Sequence, residues 1–329
     1  MTGCNVLVYG SGNCEIASLI EEEIELLGKL EFSKLKIFAR GYILEKSCLA
    51  MYKRFSYLKD ELGQVKRGGL YEYFYDGENK VERHEMVLEK SSDKESFEEA
   101  LQMGLKRINE EEVYLVLLGQ SNVTGLFWDF VGDRPSKLKY EEFSQVLYRL
   151  GKRNRVKFHV ILDIPSWHGV EFPYMLVRHP YIQTLFIYER RKEFGLLPIA
   201  QWIERVHIED GDYLEGLYKY YPGYKINMDT VIWKKCKESW RSYWENSSHN
   251  NWKIFYNYYK DAVAYTATRN VEHKVKINFK TEVVPEQKRE ISTKELQEYL
   301  IEMYHTTFDE KNIELWLREF KTCVDYYKL

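Results

Sequence analysis

Residues 113–118, Val-Tyr-Leu-Val-Leu-Leu, are the segment that decides the fold. A continuous apolar run of this length predicts a strand that is buried on both faces of a sheet. Residues 158–162 (FHVIL) and 184–188 (TLFIY) have the same character. Fully buried strands are typical of parallel sheets that are covered by helices on both sides. The segment therefore predicts an α/β protein.

Helical patterns separate these strands. Residues 97–108 repeat apolar side chains at helical spacing, and Ser92 with Glu95 predicts a capping box where this helix begins. Residues 141–150 show the same spacing. The alternation of strands and helices calls for a parallel sheet with right-handed crossovers.

The N-terminal segment predicts a further β-α unit. Residues 5–9 (NVLVY) predict a buried strand, and residues 10–13 (GSGN) predict a tight turn after it. A helix follows over residues 16–27, with Asn13 as its cap and Gly28 at its end. Residues 35–39 (LKIFA) predict the second strand.

Two further regions are less regular. Residues 70–75 and 83–88 predict an antiparallel hairpin around Asp76-Gly77. Beyond residue 205, long aromatic and charged segments predict helices over 213–220, 229–245, 251–265 and 293–327, with an edge strand at 274–279. We divide the chain into an α/β core, 1–204, and a mainly helical region, 205–329, that packs on it. We expect most aromatic side chains between Trp233 and Tyr259 to be core.

The charge balance argues against binding to polyanions. Lys and Arg total 48 against 51 Asp and Glu, a net charge of -3, so no overall field favours nucleic acid or an anionic membrane. A local basic run is expected to be a solvated face: Lys137, Lys139, Arg149, Lys152, Arg153, Arg155 and Lys157.

The cysteines and apolar runs bear on the compartment. Five cysteines are scattered without CxxC pairing, which favours free thiols in a reducing compartment and no structural zinc. No stretch reaches the length of about 18 apolar residues that a membrane span needs. We predict a cytoplasmic protein with no cofactor, no metal and no membrane or nucleic-acid partner.

The loops after the predicted parallel strands should meet at one edge of the sheet, where ligands usually bind. Four stretches around these loops carry a resemblance: VLVYGSGNCEIASLIEEEIELL (6–27), VYLVLLGQSNVTG (113–125), LDIPSWHGVEFPYML (162–176) and LFIYERRKEFGLLPIAQWI (185–203). Their order resembles that of the clostripain-like cysteine peptidases, over residues 4 to 204. The resemblance implies a caspase-like three-layer sandwich with a mostly parallel sheet, followed here by the aromatic-rich helical region.

The chain departs from that family at the two positions that carry the chemistry. In the family one strand ends with His-Gly and the next with Asp-x-Cys; here Gln120 with Ser121 and Pro165 stand at those places. Proline has no nucleophilic atom, and an amide does not titrate near neutral pH. The resemblance therefore implies a pseudo-peptidase that acts by protein or peptide binding, as a regulator, scaffold or decoy.

Several retained polar residues could still form a recognition site. The family's acid before the nucleophile corresponds to Asp163, which implies a pocket for an exposed Arg or Lys of a partner. A helix cap is the simpler role for Asp163. The neighbouring cleft is predicted to contain Ser11, Asn13, Ser121, Asn122, Ser166, His168 and Glu189.

Two enzymatic alternatives use other residues. Asp163, Ser166 and His168 suggest a rebuilt hydrolase, although their spacing suits a triad poorly. The turn from Gly10 to Cys14 suggests a nucleotide site at a helix N-terminus, although Glu15 replaces the third glycine of the usual motif.

Overall fold

The computed structural model describes residues 4–12, 16–32, 34–44, 68–75, 90–122, 125–129, 136–164, 171–188, 196–245 and 249–266. The helices and strands within these ranges are, in chain order, β1 (Cys4–Gly12), α1 (Ala17–Leu27), β2 (Leu35–Leu44), β3 (Gly68–Tyr75), α2 (Lys94–Ile108), β4 (Glu112–Leu118), β5 (Ser121–Asn122), β6 (Gly125–Asp129), β7 (Ser136–Lys139), α3 (Tyr140–Asn154), β8 (Lys157–Asp163), α4 (Glu171–Val177), β9 (Ile182–Tyr188), α5 (Ile199–Glu209), α6 (Tyr213–Tyr220), β10 (Gly223–Ile226), α7 (Thr230–Glu245), α8 (His249–Ala262) and β11 (Val263–Thr266).

Eight of the strands form one sheet, in the order β11-β10-β9-β8-β4-β1-β2-β3. The five central strands, from β9 to β2 in that order, are parallel. Strands β3, β10 and β11 extend the two edges in antiparallel fashion. The predicted mostly parallel α/β sheet is confirmed.

Alternation along the strands divides the core into two layers. Val6 and Val8 of β1 pack with α1, α5 and α6, whereas Leu7 and Tyr9 pack with the helices on the opposite face, α2, α3, α4, α7 and α8. All four side chains are fully buried, and each buried aliphatic one contributes about 1.5–3 kcal/mol. The result is a three-layer sandwich, as the fold prediction required.

The region after residue 204 continues the same sheet. The predicted boundary at 204/205 falls inside α5, whose Trp202 and Val206 belong to one core cluster. Strand β10 then pairs with β9. The division into two domains stays a prediction.

The aromatic segment of α7 and α8 supplies core residues. Trp233 and Phe255 are fully buried, and Tyr243 and Tyr259 are nearly so. Trp240 packs partly buried against them. These side chains confirm the expectation of core for much of the segment.

Four local predictions were wrong. The N-cap residue of α1 is Ile16, so Asn13 does not cap this helix. Residues 10–12 continue β1 beside β2 instead of turning after residue 9. Ser92 does not cap α2: the N-cap residue is Asp93, and Ser92 Oγ hydrogen-bonds Ser136 Oγ at 2.6 Å. The helix predicted to reach residue 265 ends at Ala262, where β11 begins.

Other predicted elements, at 83–88, 274–279 and 293–327, lie outside the described residues. Strand β3 pairs antiparallel with β2. The hairpin predicted between 70–75 and 83–88 stays a prediction, because residues 83–88 are not described. No helix in the described ranges is long and apolar enough to cross a lipid bilayer.

Candidate functional site

The candidate site lies at the carboxyl ends of the parallel strands. Gly10 of β1 is level with Leu118 of β4, which is level with Asp163 of β8. The helices after β1 and before β4, α1 and α2, cover opposite faces of the sheet. Such a change of face opens a crevice outside adjacent strand ends, where α/β proteins usually bind ligands.

Gln120 and Ser121 follow β4 after one residue, Gly119. Gln120 is half-buried, and Ser121 is buried as the first residue of β5, opposite Leu126 of β6. Strands β5, β6 and β7 form a separate antiparallel sheet. The sequence showed only a polar loop here, because strands of two to five residues carry little periodicity.

Phe127 fills the space beside the end of β4. Its backbone is left-handed, with φ 59°, at an irregularity between Leu126 and Asp129 of β6. The buried ring lies 5.0 Å from the ring of Tyr9, and a methyl group at Gly119 would lie 2.8 Å from its Cδ1. A left-handed aromatic residue is rare, so the packing around Phe127 must determine this conformation.

A buried hydrogen-bond network joins β1 to β6. Asp129 Oδ2 accepts hydrogen bonds from the backbone N–H of Ser91 at 2.5 Å and from Ser91 Oγ at 2.7 Å. Ser11 Oγ lies 2.6 Å from Ser91 Oγ, and the Tyr9 hydroxyl donates to the carbonyl oxygen of Ser91. Ser11, Ser91 and Asp129 are fully buried. Ser11, predicted to line the cleft, therefore lies beneath its surface.

The glycines of β1 serve packing. A methyl group at Gly10 would lie 2.5 Å from Ile20 Cγ2 of α1, and one at Gly12 would lie 2.4 Å from the carbonyl oxygen of Tyr42. Since Gly10 to Gly12 form strand, they do not make the loop that a phosphate site at the start of α1 would need. This geometry gives the nucleotide alternative no support.

Asp163, the retained acid, is fully buried on the α1 and α5 side of the sheet. Its Oδ2 accepts a hydrogen bond from the backbone N–H of Leu197 at 2.7 Å. Leu197 immediately precedes Pro198, the N-cap of α5. Asp163 thus contacts the start of a helix that lies later in the chain than the one it was expected to cap.

A second buried carboxylate holds the same helix end. Glu23 of α1 is 7% exposed, and its Oε1 accepts a hydrogen bond from the backbone N–H of Ala200 at 2.8 Å. Burial raises the pKa of Glu23 to about 7; hydrogen bonds from the backbone of Ala200 and Ile199 oppose this shift, and the nearby charge of Asp163 adds to it.

Several described imidazole and thiol groups lie away from these strand ends. His159 is near the amino end of β8, where Nδ1 lies 3.0 Å from Thr184 Oγ1, and burial lowers its pKa. Cys4 is the first residue of β1, and burial raises the pKa of its thiol. His179 Nε2 lies 3.2 Å from the carbonyl oxygen of Ser144. These groups give the candidate site neither a nucleophile nor a base.

Several predicted site residues lie outside the described residues: Asn13, Cys14, Pro165, Ser166, His168 and Glu189. The backbone of Asn122 forms part of β5. Within the described ranges, Asp, Glu, His and Cys do not gather in groups of three or more that could hold a metal ion.

Sequence reasoning missed Glu23, Ser91 and Asp129. Glu23 had a local signal, because it shares a helical face with Ile20 and Leu27, both expected in the core. Ser91 and Asp129 had none, since their partners come from segments 38 or more positions away.

Among known proteins, several solved structures are similar to this chain. No family model matches the sequence, and no curated protein matches it. A secreted C11 cysteine protease from Bacteroides thetaiotaomicron, solved in complex with an irreversible peptide inhibitor, has a TM-score of 0.50 at 12% identity, covering 79% of this chain and 83% of that one.

Two further C11 structures are similar at lower scores. One is the secreted protease "iotapain" of B. thetaiotaomicron (TM-score 0.45, 12% identity, 73% and 70% coverage). The other is an inactive zymogen from Parabacteroides distasonis (0.47, 9%, 82% and 85%). At these identities the inhibitor-bound neighbour shows the fold alone, which is the caspase-like α/β fold of the C11, clostripain-like, proteases. A cytoplasmic location stays a prediction.

Proposed function

We propose that this chain is a catalytically inactive relative of the clostripain-like cysteine peptidases that acts by binding a protein or peptide. The observation that carries the proposal is the pair of adjacent strand ends, β4 and β8. They are followed by Gln120 and Pro165, where the family has its imidazole and its thiol. Neither replacement can deliver a nucleophile or accept a proton at neutral pH.

The partner class follows from the acid that remains. Asp163 lies at the same edge of the sheet, and a carboxylate there suits a guanidinium or ammonium group. We therefore propose that the partner presents an exposed Arg or Lys. The alternative hydrolase gains no support from the structure, because its Ser166 and His168 lie outside the described residues.

Catalysis is tested with the full chain and two reagents. A panel of fluorogenic Arg and Lys substrates and a thiol-directed peptidyl probe are applied beside an active C11 protease as positive control. We expect no turnover. We also expect no labelling beyond that of a Cys14→Ala variant, which lacks the cysteine that follows β1 in the sequence. Substrate turnover, or labelling that one cysteine substitution abolishes, would show an active peptidase.

Binding is tested with a pair of matched peptides. An Arg-containing peptide and the same peptide with neutral citrulline are titrated and followed by fluorescence anisotropy. Because a hydrogen bond to a charged group contributes about 1.5–3 kcal/mol, we expect the citrulline peptide to bind roughly tenfold more weakly or worse. Equal affinity for both peptides would contradict recognition of a basic side chain.

A further inference from the structure

The start of α5 is held by two carboxylates from distant parts of the chain. Asp163, at the end of β8, binds the N–H of Leu197, and Glu23, in α1, binds the N–H of Ala200. Glu23 is also hydrogen-bonded by the backbone of Ile199. We call Asp163 and Glu23, with these three N–H groups, the carboxylate clamp.

The clamp replaces an ordinary helix cap. The N-cap residue of α5 is Pro198, whose side chain makes no capping hydrogen bond. The first N–H groups of a helix have no partner within it, and they carry the positive end of the helix dipole. Glu23 therefore satisfies donors that the local sequence leaves without a side-chain cap, and Asp163 binds Leu197, the residue just before the N-cap.

The clamp also covers the group that we propose as the receptor of a basic side chain. Asp163 has no exposed surface, and Leu197 donates to its Oδ2. An arriving guanidinium needs the same carboxylate oxygens. The N–H of Leu197 therefore competes with a partner for Oδ2, and movement of the segment that carries Leu197 would free this oxygen.

Glu23 is placed to resist that movement. It contacts α5 through Ala200, three residues after Leu197, and the two carboxylates are close enough for their charges to interact. The groups around Glu23 are Asp163, Glu22, Tyr221 and, through Tyr221, Arg205. Among the described residues the buried Tyr221 hydroxyl finds no hydrogen-bond partner, whereas Glu23 binds the helix start beside Asp163.

We propose that the first turn of α5 is a gate over Asp163 and that Glu23 is the positioning residue that keeps it closed. This inference rests on the proposed recognition of Arg or Lys by Asp163. Opening replaces the N–H of Leu197 by the cation of the partner. The apparent affinity is then the intrinsic affinity reduced by the fraction of molecules in which the gate is open.

The test compares Glu23→Ala with the wild type and with two controls. Glu22→Ala removes a carboxylate from an exposed position of the same helix. Glu23→Gln keeps an acceptor oxygen without the charge, so its exchange rates and affinity should lie between those of Glu23→Ala and the wild type. Amide hydrogen exchange at Leu197, Ile199 and Ala200 is measured at pH 6, below the pKa of Glu23, together with affinity for the Arg peptide and its citrulline counterpart.

We expect exchange at Leu197 to become about tenfold faster in Glu23→Ala, with Arg-peptide affinity rising by the same factor. Glu22→Ala should change neither. Unchanged exchange at Leu197 in a folded Glu23→Ala protein would overturn the gate, and so would faster exchange with unaltered Arg-peptide affinity. Faster exchange in a protein that never distinguishes arginine from citrulline would overturn recognition by Asp163 and leave only the clamp.

Discussion

At the scale of single residues, burial and backbone hydrogen bonds decide the properties of the two acids at the candidate site. Glu23 and Asp163 are both buried, and both bind backbone N–H groups at the start of α5. Hydrogen bonds of this kind favour the charged carboxylate, whereas burial disfavours it. For Glu23 burial is the larger effect, and its pKa is about 7 instead of 4.5. Its charge is therefore costly to the folded chain near neutral pH.

This cost predicts how stability depends on pH. Between pH 4.5 and 7 the folded chain holds a proton on Glu23 that the unfolded chain has released, so stability falls as pH rises through this window and is level above it. The total loss is on the order of 3 kcal/mol. Glu23→Gln should remove this component. Denaturant unfolding at several pH values measures the free energy of unfolding of the wild type and of Glu23→Gln. The same pH dependence in both proteins would contradict the prediction.

Gly119 provides a second test at this scale. A methyl group there would lie 2.8 Å from Phe127 Cδ1 and 3.4 Å from Ser11 Cβ. The ring of Phe127 cannot easily yield, because Tyr9 and Phe97 pack against it. We expect Gly119→Ala to destabilise the protein by about 1–3 kcal/mol in thermal unfolding.

The control for this change is Gly211→Ala. There the added methyl group would approach only Val206 Cγ1, at 4.0 Å, which is ordinary van der Waals contact. Its effect should stay within about 0.5 kcal/mol. Equal losses for both variants would show that Phe127 does not confine the end of β4.

At the scale of elements, the small sheet of β5, β6 and β7 is fixed to β1 through Ser91. The Ser91 hydroxyl donates to Asp129, so Ser11 must be the donor in the contact between the two serines. One residue of the segment before α2 thus connects two elements that are far apart in sequence. Because all these groups are buried, each hydrogen bond removed from the network costs more stability than an exposed one would.

Ser91→Ala should therefore destabilise the protein by about 1–3 kcal/mol, since Ser11 and Asp129 each lose a partner. Hydrogen exchange should increase in β6 more than in β9, which the network does not reach. Ser242→Ala is the control, because Ser242 is exposed on α7 and its hydroxyl donates to the carbonyl oxygen of Glu238 in the same helix. A loss no larger than that of the control would show that the network contributes nothing to docking.

The elements differ in how far local sequence could predict them. The apolar runs of β4, β8 and β9 and the helical spacing of α2 and α3 gave their type and approximate bounds. Strands β10 and β11 have four residues each, and pairing with β9 and with each other stabilises them. Such strands have too few residues for a periodic pattern. Glycine at 10 and 12 indicated a turn, whereas tertiary packing is the reason for both.

The same limit applies to the candidate site. The order of the strands and the residues after them placed Gln120 and Asp163 at one edge of the sheet. Burial of Asp163 under Leu197 could not be predicted, because it depends on a helix that starts more than 30 residues later. Charged residues on an otherwise apolar helical face, as at Glu23, are the sequence signal for contacts of this kind.

At the scale of the whole molecule, the two predicted regions of the chain build one sheet and share both layers of the core. A fragment of residues 1–204 would lose the second half of α5, including Val206, which packs closely against Gly216 of α6. It would also lose β10 and leave β9 as an unpaired edge strand with fully buried Phe186 and Ile187. An exposed apolar edge of this kind promotes association between chains.

We therefore expect the 1–204 fragment to lack the cooperative thermal transition of the full chain and to aggregate. Circular dichroism during heating, with size-exclusion chromatography of both proteins at equal concentration, measures this. The physical reason is that the core layer formed with α1, α5 and α6 needs Val206 and Leu217 to cover the sheet beside Phe186. A monomeric fragment with a sharp transition would instead show that residues 1–204 fold independently, as the predicted domain division requires.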